Sequence, residues 1–364
     1  MTYSTFQEIF VFITKDCNLR CSYCSQKHTK WFFISEEVID DFVDKIFIKI
    51  FRNFSRINVY WWEPLLYRDK VLYLIRKISS ITLQEKMFFQ VEIATNWILF
   101  DKSFVDDIEV ILRENPYLFI SATISIDGNF ENNFINRHVP NSVFSALEEN
   151  IKHWVLKAKD IQNLSVGASV VIPLTYEPID YVASLKYIFW LGLSKVSFIL
   201  EQDVVLRINP SKDDTLEKRV FQQALNKLWM LERIIDKMSD SVFIEIATLG
   251  TEPILSLKPN GDIYNIVCPD FFLLDDIRSH FYVWNIDEIR NFEEIQEIAE
   301  KEWYFTQWYE KYDSLIFERL FKWKREYLYN KFLQLKEHLA KNKRSKFDEY
   351  KKNIVLQNPL MVKN

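Results

Sequence analysis

The sequence predicts an α/β protein, and three observations carry that reading. Short apolar runs alternate with amphipathic stretches of helical period as far as residue 201. The gaps between successive runs are long enough for the crossover helices that parallel strands require. The composition, 48% apolar and 27% charged over 364 residues, is that of a globular chain able to bury a sizeable core, with length for about two domains.

In chain order, strands are expected near 9–14, 57–62, 88–95, 118–127, 164–172 and 195–201, with helices near 36–51, 68–80, 102–114, 143–159 and 178–191 between them. The first helix shows the logic. Ser35 can cap its start, Glu36 and Glu37 sit in the first turn where the helix dipole favours acid, and Val38, Phe42 and Ile46 fall on one face. After about residue 205 the rhythm stops. An amphipathic helix is expected over 213–236 and a strand over 242–248. Two further strands follow around Asn260 and Gly261, whose residue types suit a tight turn, and run to Cys268. From 286 to 352 apolar and aromatic residues recur every three or four positions, as in helices packed on the preceding part. The division expected is a core domain over 1–210 and a C-terminal part over 211–364.

Charge narrows the function classes. With 46 Lys and Arg against 51 Asp and Glu, the net charge is −5, which argues against a protein built to hold a nucleic-acid backbone. The mostly basic stretch 341–352 reads as a solvated face. No apolar run reaches the roughly 18 residues of a membrane span, and the opening MTYSTFQEIFVF lacks the pattern of a secretory signal, so a cytoplasmic protein is expected.

Three of the four cysteines, Cys17, Cys21 and Cys24, lie within DCNLRCSYC directly after the first strand. Such a group in a cytosolic chain points to metal or redox chemistry rather than disulfides. None of His28, His138, His153, His280 or His338 stands at the spacing of a zinc site. Iron and sulfur fit better: three thiolates on a four-iron cubane leave one iron open to another ligand. A zinc or ferredoxin-like patch is the alternative.

The spacing C-x-x-x-C-x-x-C after a strand, filled as CNLRCSYC, resembles the radical S-adenosylmethionine (SAM) enzymes. The resemblance implies a partial (β/α)6 TIM-type barrel with chemistry at the carboxyl ends of the strands. It also implies a [4Fe–4S] cluster on Cys17, Cys21 and Cys24, whose open iron chelates SAM. Reductive cleavage would then give methionine and a 5′-deoxyadenosyl radical that abstracts hydrogen from a substrate. Further matches follow in order: Glu63 and Pro64 in VYWWEPLL, Thr95 and Asn96 in ATNWILF, and Ser125, Asp127, Gly128 and Arg137 in SISIDGNFENNFINR. By resemblance Tyr23 packs near the adenine, Glu63 accepts from the SAM amino group, Asn96 joins the cofactor-binding set, and Ser125 and Arg137 reach the carboxylate or ribose.

The strand-turn-strand ending at Cys268 resembles the opening of a SPASM-type domain, found in enzymes of the anaerobic sulfatase-maturase kind that modify peptides and proteins. The cysteines of an auxiliary cluster do not follow, so Cys268 reads as a buried apolar residue. The resemblance implies a peptide or protein side chain as substrate and an electron donor such as a flavodoxin or ferredoxin. A small molecule or nucleotide is the alternative substrate.

One departure is patterned. Trp61 and Trp62 stand where the family has the two glycines before Glu63, Trp97 where it has one after Asn96, and Trp284 where relatives read V-G-N-I. Glycine occurs 5 times, against roughly 25 expected at average usage, while tryptophan occurs 11 times. Translation of UGA as tryptophan, in a cell that reads it as glycine, accounts for part of this. The alternative is a set of genuine indoles in a degenerate protein that no longer binds SAM.

Overall fold

The computed structural model describes residues 8–24, 29–48, 55–172, 181–200, 243–247, 255–264 and 282–286. Six strands carry the expected alternation: β1 (Glu8–Val11), β2 (Ser55–Val59), β3 (Phe89–Thr95), β4 (Leu118–Ser125), β5 (Leu164–Ile172) and β6 (Lys195–Leu200). All five pairings among them are parallel. Helix α1 (Glu36–Asp41), widening into π-helical turns over Phe42–Phe47, follows β1, and α2 (Arg68–Gln84) follows β2. Next come α3 (Lys102–Glu114) after β3, α4 (Phe130–Arg137) and α5 (Asn141–Asp160) after β4, and α6 (Tyr181–Trp190) after β5.

Local chemistry explains several of these boundaries. Ser35 accepts a hydrogen bond from the Val38 amide and so caps α1 as expected. Asp101 does the same for α3 through the Phe104 amide at 3.0 Å. Where α4 ends, His138 takes the left-handed conformation that closes many helices. This short helix is a departure from the sequence reading, which placed a single helix near 143–159.

The sheet continues beyond the sixth strand. β7 (Phe243–Ala247) pairs in parallel with β6, β8 (Leu255–Leu257) in parallel with β1, and β9 (Asp262–Tyr264) and β10 (Tyr282–Asn285) extend that side antiparallel. The result is one open ten-stranded sheet in the order β10-β9-β8-β1-β2-β3-β4-β5-β6-β7, consistent with a partial TIM-type barrel. The expected hairpin is present, turning at Asn260 and Gly261, the latter at φ +84°. The expected helices at 213–236 and 286–352, and Cys268, lie outside the described residues.

Alternation along the strands separates two faces. Ile57, Val59, Val91, Ile93, Ile120, Ala122, Ile124, Ala168 and Val170 are buried and belong to the main core. The intervening positions carry polar groups paired across strands: Asn58 with Glu8, Glu92 with Thr123, and Ser165 with Ser121. A polar lining on that face, satisfied by its own neighbours, leaves the apolar face to the helices.

Candidate active site

The cysteine loop begins where β1 leaves the sheet. Thr14 bridges to Phe33, and its hydroxyl accepts from the Asp16 amide while donating to the Phe32 carbonyl. The Asp16 carboxylate then accepts from the Cys17 amide at 2.9 Å. Cys17 and Cys21 are half-buried against the core and Cys24 is exposed; all three are free thiols. Two N–H groups aim at the Cys17 sulfur, the Leu19 amide at 3.4 Å and the Asn96 side-chain amide at 3.5 Å. Burial pushes the Cys17 thiol up to about 12 and raises that of Cys21, Arg137 opposing the second shift.

Glu63, at the end of β2, is fully buried and ties three strand ends together. Its carboxyl accepts from the Leu65 amide at 3.0 Å, the Thr95 hydroxyl at 2.8 Å and the Asn96 amide at 2.6 Å, while its own amide donates to the Asp16 carbonyl. Burial raises the carboxyl to about 7, these donors working in the opposite direction. Asn96 also donates to Asn18 Oδ1 at 2.6 Å, so one side chain links the β3 end to the cysteine loop.

A second network lies at the end of β4. The Tyr23 hydroxyl donates to Asp127 Oδ2 at 2.9 Å and accepts from Arg137 at 2.6 Å, while Arg137 stands 3.7 Å from Asp127 Oδ1. Asp127 and Arg137 are 0% and 5% exposed, so their charges meet away from water. Burial raises Asp127, with Arg137 opposing. Asn133 holds the turn by accepting from the Asp127 amide and donating to the Gly128 carbonyl, and the Asn136 carbonyl accepts from both the amide and hydroxyl of Ser22. Ser125 sits half-buried at the last position of β4, in register with Ser169.

The structure therefore gathers Cys17, Asn96 and Glu63 into one network and Tyr23, Asp127 and Arg137 into another, both on the cysteine loop. Sequence reasoning missed Asn18, Asn133 and Asn136. The last two had a visible signal: with Arg137 they fall three and four residues apart on α4, a polar stripe on one helix face.

The donor chemistry suits an iron–sulfur cluster. Three soft thiols stand on one short loop, with N–H donors directed at one of the sulfurs. Among the described residues no three His, Cys, Asp or Glu side chains converge on a single ion. The two networks lie at the carboxyl ends of a parallel sheet, where enzymes of barrel architecture gather their chemistry.

Residues 11–185 match the family model of the Radical SAM superfamily. This stretch is a radical SAM domain, and the chain is a radical SAM enzyme that uses a [4Fe–4S] cluster and SAM. No curated protein sequence matches it. Its fold is similar to that of anSMEcpe, an anaerobic sulfatase-maturase solved with bound AdoMet, at 17% identity and TM-score 0.58, covering 79% of each chain. The same enzyme with AdoMet and the Cp18Cys peptide gives 18% identity and TM-score 0.55 over the same shares. Streptococcus suis SuiB bound to S-adenosylmethionine gives 15% identity and TM-score 0.50, covering 79% of this chain and 67% of that one. No helix among the described residues is long and apolar enough to cross a membrane.

Proposed function

We propose that this radical SAM enzyme modifies a peptide or protein side chain, with Cys17, Cys21 and Cys24 as the cluster ligands. The observation that carries the reading is the meeting of the cysteine loop with the ends of β2, β3 and β4 through Glu63, Asn96 and the Tyr23–Asp127–Arg137 network. When bound, the reduced cluster supplies the electron that cleaves SAM and so creates the oxidant that removes hydrogen from the substrate.

The protein's part is placement. The amides of Leu19 and Asn96 favour a charged sulfur at Cys17, and the buried Glu63 carboxyl is positioned by three donors to accept from the SAM amino group. Tyr23 is held by its hydroxyl, which fixes the plane of a ring assigned to the adenine. Arg137 carries the positive charge assigned to the SAM carboxylate, and Ser125 is assigned to the same end. Their enclosure limits water around the reacting groups.

Support for a peptide substrate comes from the fold shared with anSMEcpe, solved with a bound peptide, together with the hairpin over 255–264. A flavodoxin or ferredoxin in the cytoplasm fits the one-electron requirement. The test is anaerobic reconstitution with iron and sulfide, followed by iron content, cluster absorbance and 5′-deoxyadenosine release under a strong reductant. Cys17→Ala, Cys21→Ala and Cys24→Ala should each lose the cluster absorbance and the product together. A retained cluster in any of the three would overturn the ligand assignment.

A further inference from the structure

Six residues other than glycine have positive φ among those described: Trp31, Trp61, Trp62, Lys86, Trp97 and His138. Two need no special account. His138 closes α4, and Lys86 follows directly after the residue that caps α2, places where a left-handed residue is ordinary. The remaining four are all tryptophan, at φ 62°, 67°, 49° and 67° in chain order, and none closes a helix. A bulky aromatic there brings its β carbon against the following carbonyl, a clash that glycine does not have.

The other described tryptophans behave differently. Trp154 and Trp190 lie in α5 and α6 and Trp284 in β10, all with ordinary φ. Trp154 is fully buried and stacks on Phe100 with ring centroids 3.8 Å apart, as a true core indole does. Trp97 is 1% exposed and meets Phe144 edge to face, and its indole N–H, like that of Trp154, finds no hydrogen-bond partner among the described residues. Trp31 lies at the opposite extreme, 82% exposed in the loop between the cysteines and α1. Burial therefore does not unite the four. Backbone conformation does.

We propose that positions 31, 61, 62 and 97 are glycine in the protein as its own cell makes it, through UGA codons read as glycine, and that 154, 190 and 284 are tryptophan. Position 31 was marked by no sequence motif and is assigned by the backbone alone. Position 284 is the reverse: the V-G-N-I resemblance favours glycine, but the strand backbone there asks for none. These four changes alone would give the chain nine glycines and seven tryptophans. Where the proposed cofactor site is concerned, and resting on that reading, glycine at 61, 62 and 97 removes three indoles flanking Glu63 and Asn96.

The test is peptide mass spectrometry on the protein isolated from its native cell, with the gene sequenced alongside. Expected are peptides lighter by one indole side chain at each of 31, 61, 62 and 97, UGA at those codons, and tryptophan with UGG at 154, 190 and 284. Tryptophan found at any of the four, or glycine at any of the three, would overturn the assignment. The masses are read without an activity assay, so failure of SAM cleavage would count against the proposed function and leave this result standing.

Discussion

Arg137 donates to the phenol of Tyr23 at 2.6 Å across 114 residues of sequence, while that phenol donates in turn to Asp127. One hydroxyl thus relays between a buried cation and a buried anion, and it holds α4 against the cysteine loop.

Tyr23→Phe removes that relay. Hydrogen bonds to buried charged groups are worth about 1.5–3 kcal/mol each, so the variant, which removes two, should lose at least that much stability in urea denaturation of the iron-free protein. Arg137→Ala should cost more, about 3–5 kcal/mol, because Asp127 is left buried without its counter-charge. Equal midpoints for Tyr23→Phe and the parent would show that the relay contributes nothing.

Glu63 should make stability fall as pH rises. Its carboxyl ionises at about 7 in the fold, against an ordinary 4.5, so within that window the folded chain keeps a proton the unfolded chain has released. The contribution is fully present below the lower value and is lost, by up to a few kcal/mol, through the upper one. Denaturation midpoints of the iron-free protein on either side of the window should show the loss, and Glu63→Gln should flatten it. A slope unchanged in the variant would assign the effect to other groups.

Gly128→Ala should be severely destabilising. The residue has φ +118°, and an added β carbon would lie 2.3 Å from Ser184 Oγ and 2.8 Å from the Ser184 backbone. Strain of this kind costs about 1–3 kcal/mol before the clash is counted. Thermal melting checks it; Gly128→Ala combined with Ser184→Gly should recover only the clash with the Ser184 side chain, since the approach to the Ser184 backbone and the φ strain remain.

Asp101→Ala should lose about 1 kcal/mol with the cap of α3. Asp101→Asn should stay within a few tenths, since it keeps the acceptor and sacrifices only the exposed pair with Arg68. If both variants lost the same amount, the ion pair rather than the cap would be responsible.

Local signals proved sufficient where chemistry is local. The helix over 102–114 and the strand over 164–172 coincide with their expected ranges, because a cap marks the first and short apolar residues closing in Val-Val-Ile mark the second. The helix Phe130–Arg137 was hidden because the face it buries, Asn133, Asn136 and Arg137, is polar, and hydrophobic period cannot reveal it. Likewise, the cysteine spacing named a chemistry, and the ordered Glu63, Asn96 and Arg137 motifs marked strand ends. That Arg137 meets Tyr23 depends on how α4 packs, which no spacing encodes. Trp61, Trp62 and Trp97 were legible as mismatches, but only their φ angles separate them from Trp284.

The pairing of β8 with β1 bears on how the protein is made. Ile9 is in register with Leu255, and the Phe12 amide donates to the Leu257 carbonyl, so the strand leading into the cysteines has one neighbour supplied from late in the chain. A ribosome must release more than two-thirds of the polypeptide before that edge can close. Until then the edge of β1 is open to mispairing, and its thiols stand on an unfinished strand. Nascent chains halted before residue 257 should accordingly aggregate rather than mature, and iron uptake followed during synthesis should begin only after that point.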